Sequence, residues 1–423
     1  MFRKAWEQMN LDKLKTSKGV DVTGKRVLLR ADLNVPMMDG KVTDATRLER
    51  LVPGLEDLAR RGARVVVLSH FGRPKGRPDA ELSLKPVVAK LGELLGERIV
   101  FVPDCIGPAA EAAAASLAPG AIAAFENLRF HKGEETNDPE FARALARSGD
   151  MFVNDAFSAA HRAHASTEGI TRHLPSYAGP LMMEEIAALR SVLDEPRRPT
   201  AAVVGGAKVS SKLPVLTSLA AKVDKVIIGG GMAHTFLEAQ GLKLGKSLAE
   251  PALFETALSI LAAAKAKGCE IVLPVDIVCA SEFKAGAASS VVDVEKVAPD
   301  CLALDIGPRS VAIMAEVLSG CKTLLWNGPL GAFEVKPFDA GTCALARVAA
   351  RLTKAGALVS VAGGGDTVAA LNAAGVAGDF TYVSTAGGAF LEWLEGRELP
   401  GVAALARRAV VRSGDETAPS RAT

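Results

Sequence analysis

Three glycines followed by an acid mark the first place where this chain could do chemistry. In Leu358 to Leu371, LVSVAGGGDTVAAL, small and β-branched residues lead through Gly363, Gly364 and Gly365 to Asp366 and Thr367, then to an alanine-rich helical run. A strand that empties through glycines into a helix start points free backbone N–H groups outward. Together with the positive helix end they attract phosphate. Asp366 would add negative charge there, which makes sense if Mg²⁺ bridges its carboxylate to phosphate oxygens. The other reading is that Asp366 only caps the helix.

Elsewhere the chemistry-bearing residues are charged. KRVLLRADL (Lys25 to Leu33) delivers Asp32 and Asn34 just before Pro36, although both types are also common turn formers. Arg47 falls in the first turn of the next helical segment, where a cation opposes the macrodipole and is better explained by an anionic ligand. His70-Phe71-Gly72-Arg73-Pro74-Lys75-Gly76-Arg77 gathers four potential cations in eight residues. It is too cationic to be buried unpaired, and simple solvated loop charge is its alternative. Asn127, Arg129 and His131 follow the apolar run Ala121 to Glu126, Asn154 and Asp155 close Met151 to Phe157, and Arg162 lies in AHRAHASTEG. His161 and His164 have no third metal ligand at a sensible spacing.

The elements that must position these residues share one grammar of strand, glycine turn and helix. It recurs in AAVVGGAKVSSKL from Ala201, KVIIGGGMAHTFLEAQG from Lys225, TLLWNGPLGAF from Thr323, the Leu358 stretch, and YVSTAGGAFLEWLEG from Tyr382. Alternating strands and helices imply a mainly parallel sheet with right-handed crossovers, whose ligands gather outside the carboxyl ends of the strands. Strands of the first half end in Arg, His, Asp and Asn, and those of the second half in glycines. One rim would hold an anion with guanidinium forks and the other would hold phosphates with backbone amides, so two anionic ligands are implied.

At 423 residues two domains are expected. The amphipathic run Met182 to Leu193, stopped by the prolines of DEPRRPT, is expected to join them. The expected division is residues 1–180, a linking helix and hinge over 181–199, a second domain over 200–400, a short basic helix over 401–412, and a disordered tail over 413–423. Helices are expected over Thr43 to Arg60, capped by Thr43 or Asp44 with Leu48, Leu51, Leu55 and Leu58 on one face, and over Leu84 to Leu95 and Pro108 to Leu117. Strands are expected over Arg98 to Val102 and Glu270 to Val275, followed by Asp276, to which the sequence assigns no role.

Hydrophobic and charged fractions of 49% and 23% are those of an ordinary globular protein. A net charge of +2 gives no global pull toward nucleic acid or anionic membrane. Six scattered cysteines without a CxxC read as buried, reduced thiols. Neither a signal-type apolar stretch nor a run of about 18 apolar residues is present, so a cytoplasmic location is expected. The patterns GxxxxGK[ST] and GxGxxG are absent, and HRA at His161 lacks the aspartate of a protein-kinase loop.

Nine motifs then stand in one order: RADLNVP, SHFGRPKG, AFENLRFHKGEE, NDAFSAAHRAHAST, VVGGAKVSSK, IIGGGMAHTF, LWNGPLGAFE, AGGGDT and STAGGAFLE. Over about residues 22 to 402 the chain resembles the phosphoglycerate kinase family. The resemblance implies an α/β fold of two Rossmann-like lobes, each a mainly parallel sheet flanked by helices, joined by an interdomain helix and closing over a cleft. It implies a monomer in which the C-terminal segment packs back on the first lobe. The implied activity is reversible phosphoryl transfer between 1,3-bisphosphoglycerate plus ADP and 3-phosphoglycerate plus ATP, in line and with Mg²⁺.

Carried over by position, Asp32, Asn34, Arg47, His70, Arg73, Arg129 and Arg162 match the acid-sugar site. Lys208 matches the lysine that meets the transferring phosphoryl group, and Lys212 one nearer the nucleotide phosphates. Gly206, Gly230, Asn327, Pro329, Glu334, Gly364, Gly365, Asp366 and Thr367 match the nucleotide site, with Glu334 at the ribose and Asp366 at the metal. Arg47, Lys208, Gly365 and Gly388 match positions acting on the transferred group, and Gly387 and Gly388 match amides at a helix N-terminus facing it. Ala386 replaces a usual glycine, which costs on the order of 1 kcal/mol if that position needs φ > 0 and nothing otherwise. Phe71 replaces a more usual leucine. Two alternatives remain at this stage: a nucleotide-binding regulator of the same fold, against which Arg47, Lys208 and Asp366 speak, and a dinucleotide oxidoreductase, whose glycine fingerprint is missing.

Overall fold

A computed structural model of the chain describes residue 11 and residues 14–407. The chain forms two compact units, with cuts between Met183 and Glu184 and between Arg397 and Glu398. The first cut falls inside the helix Pro180–Leu193.

In the first unit β1 (Arg26–Arg30) is followed by a short hairpin, β2 (Met37–Met38) and β3 (Lys41–Val42), then by β4 (Arg64–Leu68), β5 (Val100–Val102), β6 (Ile122–Phe125), β7 (Met151–Asn154) and β8 (Ser176–Ala178). Six of these make a sheet in the order β5-β6-β4-β1-β7-β8, parallel throughout. The central strands read VLL, VVV and IAAF because both faces are covered, as a parallel sheet demands. The helix Thr46–Arg60 lays Leu48, Leu51, Leu55 and Leu58 into this core. It starts three residues later than Thr43, because the hairpin takes up the preceding chain. Asp44 is not its cap but accepts from the Thr46 N–H at 2.9 Å.

The second unit contains β9 (Thr200–Val204), β10 (Lys225–Ile228), β11 (Glu270–Val272), β12 (Asp276–Ala280), β13 (Ser289–Asp293), β14 (Leu302–Ile306), β15 (Thr323–Asn327), β16 (Val359–Gly363) and β17 (Tyr382–Ser384). A parallel sheet runs β11-β10-β9-β15-β16-β17. A separate antiparallel sheet, β13-β12-β14, was not foreseen. The expected strand to Val275 stops at Val272, and the chain restarts as β12 after Pro274, which cannot donate to a ladder.

Both parallel sheets share one topological device. From β1 the chain steps to β4 on one side and later returns to β7 on the other, and from β9 it steps to β10 and returns to β15. Crossovers that diverge at a central strand leave a crevice outside its carboxyl end. Asp32 and Asn34 follow β1 there, and Gly205 and Gly206 follow β9.

The helix Pro400–Ala406 lies against the first unit, where the Gly401 N–H donates to the Ala160 carbonyl at 2.8 Å. The remainder of the expected basic helix and the tail 413–423 lie outside the described residues. All six cysteines are free, and Cys301 alone of them is half-exposed where burial was expected. Among the described residues no helix is long and apolar enough to cross a membrane.

Asp276 has a structural role. Its buried carboxylate accepts from the backbone N–H groups of Arg309 (3.0 Å) and Ser310 (2.7 Å) at the start of the helix Pro308–Ser319. A capping carboxylate of this kind stabilises by about 1 to 2 kcal/mol. Asp276→Ala is therefore expected to lower the urea midpoint by that equivalent. An unchanged midpoint would mean that the helix end is satisfied in another way.

Candidate active site

At the carboxyl end of β1 the charged residues of the first unit come together. Arg47 lies 3.0 Å from the Asp32 carboxylate and donates to the Asn34 carbonyl at 2.7 Å. Burial works against the charge of Asp32, but Arg47 and the Ser158 hydroxyl, which donates at 2.6 Å, hold its carboxyl below the usual carboxylate range. The Asn34 Oδ1 accepts from the Gly72 N–H at 2.9 Å, and an Arg129 Nη1 donates to the Gly72 carbonyl at 2.7 Å. The turn at Gly72 is thus clamped from both sides. Arg129 is also paired with Glu135 at 3.2 Å, and Arg162 donates through Nε to His161 at 3.1 Å. Arg73 is exposed and makes no ion pair or hydrogen bond among the described residues.

Beneath them lies a residue that sequence reading passed over. Arg30, the last residue of β1, is fully buried and donates to the Ala31 carbonyl, to Ser166 Oγ at 2.9 Å and to His70 Nδ1 at 3.0 Å. A guanidinium only donates, so Nδ1 must accept and the proton of His70 sits on Nε2. Burial, with Arg30 adding to it, pushes the His70 pKa well down, so this imidazole is a neutral donor. The signal was present: an arginine closing an otherwise apolar strand needs a buried partner.

In the second unit the glycine turns make close backbone contacts. A Cβ on Gly205 would stand 1.8 Å from the Pro329 carbonyl oxygen, and one on Gly230 (φ 67°) would stand 2.7 Å from the Gly206 carbonyl oxygen. Lys212 ties this rim together, donating to the carbonyls of Gly205 (2.7 Å) and Asn327 (3.1 Å). Burial lowers its pKa to about 8, with Asp366 opposing. Asn327 donates to the Gly363 carbonyl at 2.7 Å, and the buried Thr367 hydroxyl accepts from the Gly328 N–H at 2.7 Å. Thr367 therefore holds the neighbouring turn. Asp366 is exposed in the first turn of the helix Gly365–Ala373, and Gly364 precedes that helix at φ 99°.

A cavity of about 460 Å³ opens along these turns. Gly206, Gly230, Pro329, Glu334 and Asp366 line it, and so do Leu248 and Phe283, two large apolar side chains that are 48% and 58% exposed. Apolar side chains left open beside a cavity mark a ligand surface. This apolar side carries no motif and was not foreseen. Lys208 is exposed, and Gly388, at the start of the helix Gly388–Leu394, is exposed as well. Neither lines the cavity. Ala386 is not among the residues with positive φ, so its replacement of glycine carries no backbone strain.

Comparisons with known proteins agree with one another. A family model described as phosphoglycerate kinase matches residues 17–397. A phosphoglycerate kinase of Sinorhizobium medicae is 60% identical over 382 residues, covering 90% of this chain and 96% of that one. One of Methylorubrum extorquens is 61% identical over 382 residues with the same coverage. The solved structure of phosphoglycerate kinase from Coxiella burnetii superposes with a TM-score of 0.87 at 41% identity, covering 94% of this chain and all of that one.

The state of Lys212 gives a pH prediction. Its ammonium is charged below about pH 8 and neutral above it, and phosphates favour the charged form. Affinity for ADP is expected to fall as pH rises past 8, by about tenfold at one unit above the pKa. Lys212→Arg, charged throughout, should flatten the profile. A wild-type affinity that stays constant from pH 7 to 9.5 in calorimetric titrations would contradict this.

Proposed function

The chain belongs to the phosphoglycerate kinase family, and we propose how its own residues carry out that family's reaction, the reversible transfer of a phosphoryl group between 1,3-bisphosphoglycerate plus ADP and 3-phosphoglycerate plus ATP. The chain is a phosphotransferase of glycolysis whose acceptor is a carboxylate. What carries the residue-level reading is the contrast between the two strand ends, cationic side chains after β1 and glycine turns after β9.

In this reading Asp32, Asn34, Arg47, His70, Arg73, Arg129 and Arg162 bind the acid sugar. Arginine forks match carboxylate and phosphate oxygens in pairs, and His70 adds a neutral donor through Nε2. Gly206, Gly230, Lys212, Asn327, Pro329, Glu334, Gly364 and Thr367 hold the nucleotide, with Glu334 at the ribose. The acceptor carboxylate is already ionised at neutral pH, so no general base is required. Positioning and charge neutralisation do the work. Arg47, Lys208 and the amides at Gly365 and Gly388 would meet the transferring group in a direct in-line displacement. That step needs both ligands in one water-excluded space, so closure of the two units during turnover is part of the proposal.

Asp366 suits Mg²⁺. It is an exposed carboxylate facing a phosphate rim, and among the described residues the one group of three His, Cys, Asp or Glu donors is Asp104, Cys105 and His131, elsewhere. An ion held by a single carboxylate and by substrate phosphates is how Mg²⁺ is usually bound. When bound, it would neutralise charge on the nucleotide phosphates. A monomer in the cytoplasm completes the reading, supported by the presence of all proposed site residues in one chain and by six free cysteines.

The test is a coupled assay of ATP-dependent phosphorylation of 3-phosphoglycerate, with and without Mg²⁺. Mg²⁺-dependent turnover that collapses in Asp366→Ala supports the metal-nucleotide assignment. A folded wild type that binds ADP but does not turn over would point to a regulator. Lys208→Ala is expected to lower kcat by about 100-fold while the Kd for ADP moves less than about threefold, since its contact strengthens in the transition state. Equal losses in both would remove it from that role.

A further inference from the structure

His234 lies in the helix Gly231–Ala239, just past the glycine turn, and it lines the cavity of the second unit although it is buried. Its Nδ1 stands 3.1 Å from the carbonyl oxygen of Leu248. A carbonyl only accepts, so Nδ1 carries the proton and Nε2 is left with a lone pair. Among the described residues nothing donates to Nε2. Burial pulls the pKa of this imidazole to about 4, against the Leu248 carbonyl, so it stays neutral through the physiological range. Its acceptor is therefore permanent.

In the proposed reading the phosphates meet Gly206, Gly230 and Asp366 of the cavity lining, which also includes the apolar residues Leu248, Pro274, Ile277 and Phe283. His234, bonded to Leu248, belongs to the apolar side, where the flat base of a nucleotide would lie. A lone acceptor in such a wall lowers the energy of a base that donates to it and raises that of a base presenting another acceptor.

We propose that His234 determines which base this enzyme uses: Nε2 accepts a hydrogen bond from the exocyclic amine of adenine and disfavours purines that carry oxygen or hydrogen at that position. The proposal rests on the reading of this cavity as the nucleotide site. The glycine turns have no side chains with which to distinguish one base from another.

The experiment compares ATP, ITP, purine riboside 5′-triphosphate and 2′-deoxy-ATP as donors to 3-phosphoglycerate, on wild type, His234→Phe and His234→Gln. In the wild type kcat/KM for ATP is expected to exceed that for ITP and the riboside triphosphate by at least about fivefold, the size of one neutral hydrogen bond. His234→Phe should bring the three within about twofold, and His234→Gln, whose amide oxygen still accepts, should retain part of the preference. Equal kcat/KM for the three in the wild type overturns the inference without recourse to any variant. So does a preference that survives in His234→Phe, or a loss on 2′-deoxy-ATP that His234→Phe abolishes, which would move the contact to the sugar. Absence of turnover with every triphosphate would overturn the proposed activity and this inference with it, whereas turnover without discrimination removes the inference alone.

Discussion

The second unit depends on the contact between the ends of two neighbouring strands. β9 and β15 run in register to Val204 and Asn327, and Lys212 donates to the carbonyls of Gly205 and Asn327 just beyond them. The approach is so close that neither turn tolerates a side chain. A Cβ on Gly205 would overlap the Pro329 carbonyl, and one on Gly328 would lie 2.6 Å from the Lys212 ammonium. A buried lysine is costly unless its donors are satisfied, and two backbone carbonyls meet that need while joining the two turns. The glycines are therefore required twice, for the backbone approach that forms the rim and for the bare amides that a phosphate would meet.

The first unit solves the same electrostatic problem with side chains. Several guanidinium groups cannot share one surface without counter-charges, and the structure supplies them: Asp32 for Arg47 and Glu135 for Arg129. Arg30 below is compensated by the fully buried Glu134 through Ser166, whose hydroxyl donates to the Glu134 carboxylate at 2.6 Å. The result is a cationic surface with defined directions rather than a diffuse positive field, as the proposed acid-sugar site would need. His70 shows the consequence, because its tautomer follows from the donor beneath it.

Much of this could be read from the sequence, for a physical reason. In parallel sheets ligand-facing residues tend to sit where strands end, so Asp32, Asn34, Gly206 and Asp366 could be picked out as candidates from the polar or glycine interruptions of apolar runs. The face Leu48, Leu51, Leu55, Leu58 was equally legible from its period. What escaped depended on distant partners. The cap that Asp276 provides joins residues 34 positions apart, as seen in its bond to Ser310. The antiparallel sheet was missed because β13 is mostly exposed and has no apolar run. Arg30 read as part of a strand and His234 as an ordinary helix residue, since nothing local announces a buried donor or a neutral acceptor. Whether Ala386 is strained required the backbone angle itself.

In the proposed mechanism transfer is a matter of placement and charge, and no side chain of either proposed site becomes covalently bound to phosphorus. The measurement that bears most directly on this is the stereochemical course at the transferred phosphorus, using ATP made chiral at its γ-phosphoryl group by oxygen isotopes. One direct in-line displacement predicts inversion of configuration. Retention would require two successive displacements through a phosphorylated residue of the enzyme, and would contradict the account.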